Sequence, residues 1–115
     1  MSTVAELDVK RQGDALVAAL RGEVDMTNAP YVREQLTGAI PNDVNVVVLD
    51  LSGANYLDSA AIEVLFELSR RLARRRQQLH LVVPSGSPLT RVLTLTDVAS
   101  VAPLHQSLAD ALAAP

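Results

Sequence analysis

An α/β architecture follows from three features of the 115-residue chain: a mixed, mostly parallel sheet of about five strands, opened by a β-hairpin and carrying about four helices. Alternating residues near the N-terminus flank a Gly-Asp turn, and a β-branched run that is apolar on both faces lies mid-chain. After that run, helical and extended patterns alternate, which implies parallel pairing through right-handed crossovers. The length suits one hydrophobic core, so residues 1–115 are read as a single domain.

Each element has its own signal. Glu6 to Arg11 alternates, with Leu7 and Val9 on one side and Asp8 and Lys10 on the other. Gly13-Asp14 then turns the chain into the apolar run Ala15 to Leu20, closing a hairpin. Thr27 or Asn28 is placed to cap a helix whose first turn holds Pro30 and whose apolar positions are Val32, Leu36, Ala39 and Ile40. Pro41-Asn42-Asp43 ends that helix, and Val44 to Leu51 reads as a central strand. From Ser59 a helix buries Ala61, Leu65, Leu68 and Leu72, with Glu67 and Arg71 one turn apart and able to pair. Leu79 to Val83 is a strand, Pro84 to Pro88 a loop, and Leu89 to Leu95 a short helix. A last short strand is expected at Ser100 to Ala102, before a closing helix from about His105 to Ala113.

Composition removes several kinds of chemistry. With apolar residues at 49% the chain can build a core, but aromatics are only 3%, so the interior must come from Val, Leu, Ile and Ala, and platforms for stacking bases are scarce. Cysteine is absent, which excludes disulfides, thiolate chemistry and sulfur-ligated metals. Met1 to Lys10 carries Glu6 and Asp8 where a secretory signal would be apolar, and the longest aliphatic run, Val46 to Leu49, is too short for a bilayer. A cytoplasmic protein with no membrane insertion is the expectation. His80 and His105 lack the spacing of a metal motif, and the five glycines form no phosphate-cradling loop, so neither metal nor cofactor is expected. Ser59 opens a helix after extended chain but lacks the flanking glycines of a nucleophile elbow, which argues against a catalytic serine and against an enzyme.

Net charge is −3, yet Arg70, Arg71, Arg74, Arg75 and Arg76 hold half of the ten basic residues. The ordinary explanation is that cations in the last turns of a helix complement its dipole. The rest of the chain is acidic, which disfavours direct nucleic-acid binding.

Two polar turns stand out. Asp58-Ser59 sits where extended chain hands over to a helix, and Glu23, Asp25, Thr27 and Asn28 make a second such turn. Either set can cap exposed helix NH groups and do nothing more. In a sheet of this order, however, the two turns can meet at one edge and form a docking surface.

Val47-Val48-Leu49-Asp50-Leu51-Ser52, followed by Tyr56-Leu57-Asp58-Ser59 and a helix, resembles the signature of STAS domains, especially bacterial anti-sigma factor antagonists. Gly22-Glu23-Val24-Asp25 is similar to the first conserved turn of that family, and the likeness covers essentially the whole chain. The resemblance implies a cytosolic binding module whose partner is an anti-sigma factor, a serine kinase, and whose binding frees a sigma factor. It implies a partner-binding set of Asp25, Thr27, Asn28, Asp58, Ser59, Ala60 and Glu63. In the family the kinase switches the antagonist off by phosphorylating a Ser or Thr directly after the Asp-Ser pair. Here that position is Ala60, the following glycine is replaced by Ala61, and Glu63 stands where a small residue is common. Alanine has no oxygen to accept a phosphoryl group, so the remaining candidate acceptor is Ser59. The departure keeps an alternative open, a STAS subunit of another complex such as a lipid-transport ATPase partner or a stressosome-like scaffold.

Overall fold

The computed structural model describes residues 5–114; the sequence expectations for Met1 to Val4 and Pro115 lie outside the described residues. Two strands open the chain, β1 (Ala5–Gln12) and β2 (Ala15–Val24), paired antiparallel from Ala5 opposite Gly22 to Gln12 opposite Ala15. Gly13 adopts φ 60, the left-handed step that a tight connection needs and that glycine takes without steric cost. Helix α1 (Ala29–Ala39) follows, then β3 (Val46–Asp50), β4 (Ala54–Leu57), α2 (Ser59–Arg74) and β5 (Gln78–Val82). The chain ends with α3 (Thr90–Leu95), a 3-10 turn at Val98–Ser100, β6 (Leu104–His105) and α4 (Leu108–Ala113).

The sheet order is β1-β2-β3-β5-β6, with every pairing beyond the hairpin parallel. Strand β4 also pairs with β2: β3 lies beside Ala15 to Ala19, and β4 then takes over beside Gly22 to Val24, across an irregularity at Gly22/Glu23. The jog between β3 and β4 has local causes. Asp50 accepts hydrogen bonds from both the amide and the hydroxyl of Ser52, and Ala54 N donates to Leu51 O. Gly53 lies so close to Arg21 that a Cβ would stand 2.7 Å from its Cγ, and Gly53 O accepts from Gly22 N. The observed sheet therefore has six strands where about five were expected, the addition being β4.

Alternation along the strands divides the interior. Leu16, Ala18 and Leu20 of β2, Val47 and Leu49 of β3, and Leu79 and Leu81 of β5 face α1 and α2, where Val32, Leu36, Leu65, Leu68 and Leu72 complete the main core. Val17, Val48 and Val82 point to the opposite face and are covered by Ala111 of α4. This is why the mid-chain run is apolar on both sides.

The C-terminal expectations need correction. Ser100 to Ala102 forms no strand; that stretch continues from the 3-10 turn, and the strand lies later, at Leu104–His105 beside Leu81 and Val82. His105 accordingly belongs to β6, and the closing helix begins only at Leu108, where the Ser107 hydroxyl caps Asp110 N at 3.1 Å. Glu67 does not pair with Arg71; it reaches Arg33 on α1 at 3.5 Å, because two helices packed side by side bring in a partner that helical periodicity alone does not reveal. No helix among the described residues is long and apolar enough to cross a membrane.

Candidate functional site

The second polar turn is built by Asn28. It occupies the N-cap position of α1 but makes no side-chain cap; instead its Oδ1 accepts from Asp25 N at 2.9 Å and its Nδ2 donates to Glu23 O at 2.9 Å. The capping expected of Thr27 or Asn28 is thus replaced by bonds that close the turn itself. Asp25 Oδ1 accepts from the amide and the hydroxyl of Thr27, and Asp25 O accepts from Ala29 N at 2.8 Å. Pro30 sits in the first turn of α1, where a missing NH costs nothing.

Asp58 does cap α2: its Oδ1 accepts from Ala61 N at 3.0 Å, with extended backbone (φ −94, ψ −172). Its other oxygen crosses to the neighbouring turn and accepts from Met26 N at 2.9 Å. Asp58 N in turn donates to Val24 O. One carboxylate therefore joins the turn that starts α1 to the turn that starts α2, and both lie at the carboxyl end of β2.

Ser59 is the first residue of α2 and is exposed, whereas Ala60 is half-buried and packs against the core. Glu63 is exposed one turn along and pairs at 3.4 Å with Arg70, two turns further on the same helix. The corner thus gathers Asp25, Thr27, Asn28, Asp58 and Ser59 closely, with Ala60 behind them and Glu63 directed along α2.

Sequence reasoning missed the apolar neighbours of this corner. Met26 is 74% exposed between Asp25 and Thr27, and Tyr56, two residues before Asp58, is 49% exposed. Tyr56 and the 73% exposed Leu95 line a cleft of about 300 Å³ with Leu57, Leu89 and Val92. The legible signal was Met26: an apolar side chain inside a run of turn-forming polar residues has little chance of burial. Met and Tyr are the residue types enriched where proteins meet.

The two histidines, distant in sequence, are adjacent in space. His80 on β5 is buried and stacks on His105 of β6, with ring centroids 5.0 Å apart and Nδ1 of His80 2.8 Å from Nε2 of His105. Gln78 Oε1 stands 3.2 Å from His80 Nε2. With that carbonyl accepting from Nε2–H, neutral His80 must accept at Nδ1, and His105 donates. Burial, and secondarily the charge of His105, holds the His80 pKa below its ordinary value. Among the described residues no three His, Cys, Asp or Glu side chains converge on a metal-sized space.

The STAS domain profile matches residues 6–111. A Bordetella bronchiseptica protein named as an anti-sigma factor antagonist, BtrV, is 31% identical over 100 residues, which cover 86% of this chain and 84% of that protein. Over 88 residues, 67% of this chain, the identity with an Arabidopsis thaliana protein named as sulfate transporter 3.4 is 24%, and the match spans only 14% of that longer protein. Among solved structures, an anti-sigma factor antagonist from Mycobacterium paratuberculosis superposes with a TM-score of 0.84 at 25% identity, covering 95% of this chain and 92% of the other. The unphosphorylated form of the anti-sigma factor antagonist SpoIIAA shares the fold, with a TM-score of 0.74 at 16% identity and 93% coverage of each chain.

Proposed function

Because the chain belongs to the STAS domain family, we propose that it is a protein-binding regulatory module, not an enzyme, that acts as an anti-sigma factor antagonist in the cytoplasm. It presents Asp25, Thr27, Asn28, Asp58, Ser59, Ala60 and Glu63 to an anti-sigma factor of the serine-kinase type, and its binding releases a sigma factor. The observation that carries this reading is the hydrogen bond from Met26 N to Asp58, which fuses two polar turns into one exposed corner. The likeness to BtrV over most of both chains supports the same reading.

Ala60 sets the regulatory character. A phosphoryl group adds roughly −1.5 to −2 charges, and a charge desolvated in an interface without a partner costs several kcal/mol, so phosphorylation after the Asp-Ser pair weakens binding by orders of magnitude. A chain with alanine there stays in the binding-competent state, unless Ser59 receives the phosphate.

Calorimetric titration against the anti-sigma kinases encoded in the same genome tests the reading; a complex with one of them is expected, and failure to bind any removes it. Incubation with that kinase and ATP is expected to leave no phosphate on the chain, or phosphate on Ser59 alone, as read by mass spectrometry. The missing acceptor also favours a second reading, a STAS subunit serving a lipid-transport ATPase or a stressosome-like scaffold. Transporter genes beside the coding sequence would support it over kinase and sigma-factor genes.

A further inference from the structure

The outer groove between α1 and α2 gathers positive charge from both helices. Arg33 comes from α1, Arg70, Arg71 and Arg74 come from α2, and together they line a cleft of about 250 Å³ in which Glu67 is the one carboxylate. Complementing the α2 dipole explains cations in its last turns, but it does not explain Arg33, which sits mid-helix on α1. The existing ion pairs are exposed and long, Arg33–Glu67 at 3.5 Å and Arg70–Glu63 at 3.4 Å, and such pairs contribute little and exchange readily. Among the described residues Arg71 and Arg74 form no ion pair. Four guanidinium groups stand against two carboxylates, Glu67 within the cleft and Glu63 on Arg70, so a net local positive field remains, in a chain that is acidic elsewhere, and draws in anions.

The shape of the groove narrows the ligand. Its floor, Leu36, Val64 and Leu68, is buried under the helices and offers almost no apolar surface to a docking side chain. No aromatic ring lines it, so a nucleobase would have nothing to stack on. The volume suits a small, charge-dense ion better than a length of peptide. Guanidinium forks match phosphate oxygens in pairs, and adjacent phosphates engage several forks together.

We propose that the α1–α2 groove is a binding site for a compact inorganic polyphosphate, a di- or triphosphate ion held by Arg33, Arg70, Arg71 and Arg74. The site lies further along α2 than the Asp58 corner, meets the set of residues assigned to that corner only through the Arg70–Glu63 ion pair, and does not depend on the partner assigned there.

Calorimetric titration of the full chain with tripolyphosphate, repeated at increasing salt, is the test. Saturable 1:1 binding that weakens as salt rises is expected. Arg71→Gln/Arg74→Gln should weaken it by about tenfold or more. Lys10→Gln/Arg91→Gln, which removes the same charge elsewhere, should leave it unchanged. Both arginines of the first variant are exposed, so an unaltered thermal melt would show that lost binding is not lost folding. ATP should bind within about threefold of tripolyphosphate. No binding of tripolyphosphate, equal affinity in the Arg71/Arg74 variant, ATP binding about tenfold tighter or more, or a poly-glutamate peptide binding where tripolyphosphate does not would each overturn the assignment.

Discussion

Asp58 joins two helix starts through two oxygens, so its replacement removes two interactions together. Asp58→Ala is expected to lower stability by about 1–2 kcal/mol, the scale of a lost N-cap, and a urea denaturation midpoint would measure it. Asp58 and Ser59 were legible in the sequence because a cap precedes its helix within a few residues. The reach of Asp58 to Met26, thirty-two residues earlier, was not, since no local pattern reports a contact made by tertiary packing. Ala60→Ser would place an acceptor after the Asp-Ser pair, and, on the function proposed above, phosphorylation by the anti-sigma kinase that binds the chain, seen as a new phosphopeptide, is the expected outcome. The histidine pair adds a pH effect. His80 has its pKa held down in the folded state, so the neutral form is favoured there. Stability is therefore complete above the unfolded value near 6.5 and is lost as pH falls below it toward the lower folded value. The groups facing His80 are His105 and the neutral Gln78, so no carboxylate offsets the added proton. Urea midpoints compared at about pH 8 and about pH 5 should differ less in His80→Gln than in the parent chain.

At the scale of elements, α2 is stopped by a costly device. Arg76 takes φ 59 just past the helix while Gln77 N bonds back to Leu72 O at 2.8 Å, a left-handed closure usually given to glycine. Arg76→Gly should raise stability by about 0.5–1 kcal/mol, read from the denaturation midpoint. The next residue ties elements together: Gln77 Nε2 donates to Pro41 O and Val44 O, the carbonyls between α1 and β3. Gln77→Leu leaves both carbonyls without that donor and is expected to cost about 1–3 kcal/mol by the same measurement. Helix α2 was readable in advance because its apolar positions recur over sixteen residues, and the central strand because its β-branched run is apolar on both faces. Strand β4 was not, as its four residues show no alternation, with Ala54 and Leu57 buried and Asn55 and Tyr56 exposed between them, and its pairing is set by the jog at Ser52-Gly53. Strand β6, two residues long, has no sequence period at all; its place is fixed by the edge that β5 leaves open.

Across the whole molecule, the two faces of the sheet are unequally covered. Helices α1 and α2 seal one face, while the other relies on the short α4 above Val17, Val48 and Val82. The acidic corner and the arginine groove occupy different stretches of the α1–α2 layer, the first at the N-terminal end of α2 and the second toward its C-terminal end. Because Asp58 clasps the loop ahead of α1, the two loops of the corner cannot drift independently. A partner of the kind proposed would meet a surface whose arrangement is already set, so little freedom would remain to be surrendered on association, and tight recognition could come from a modest footprint.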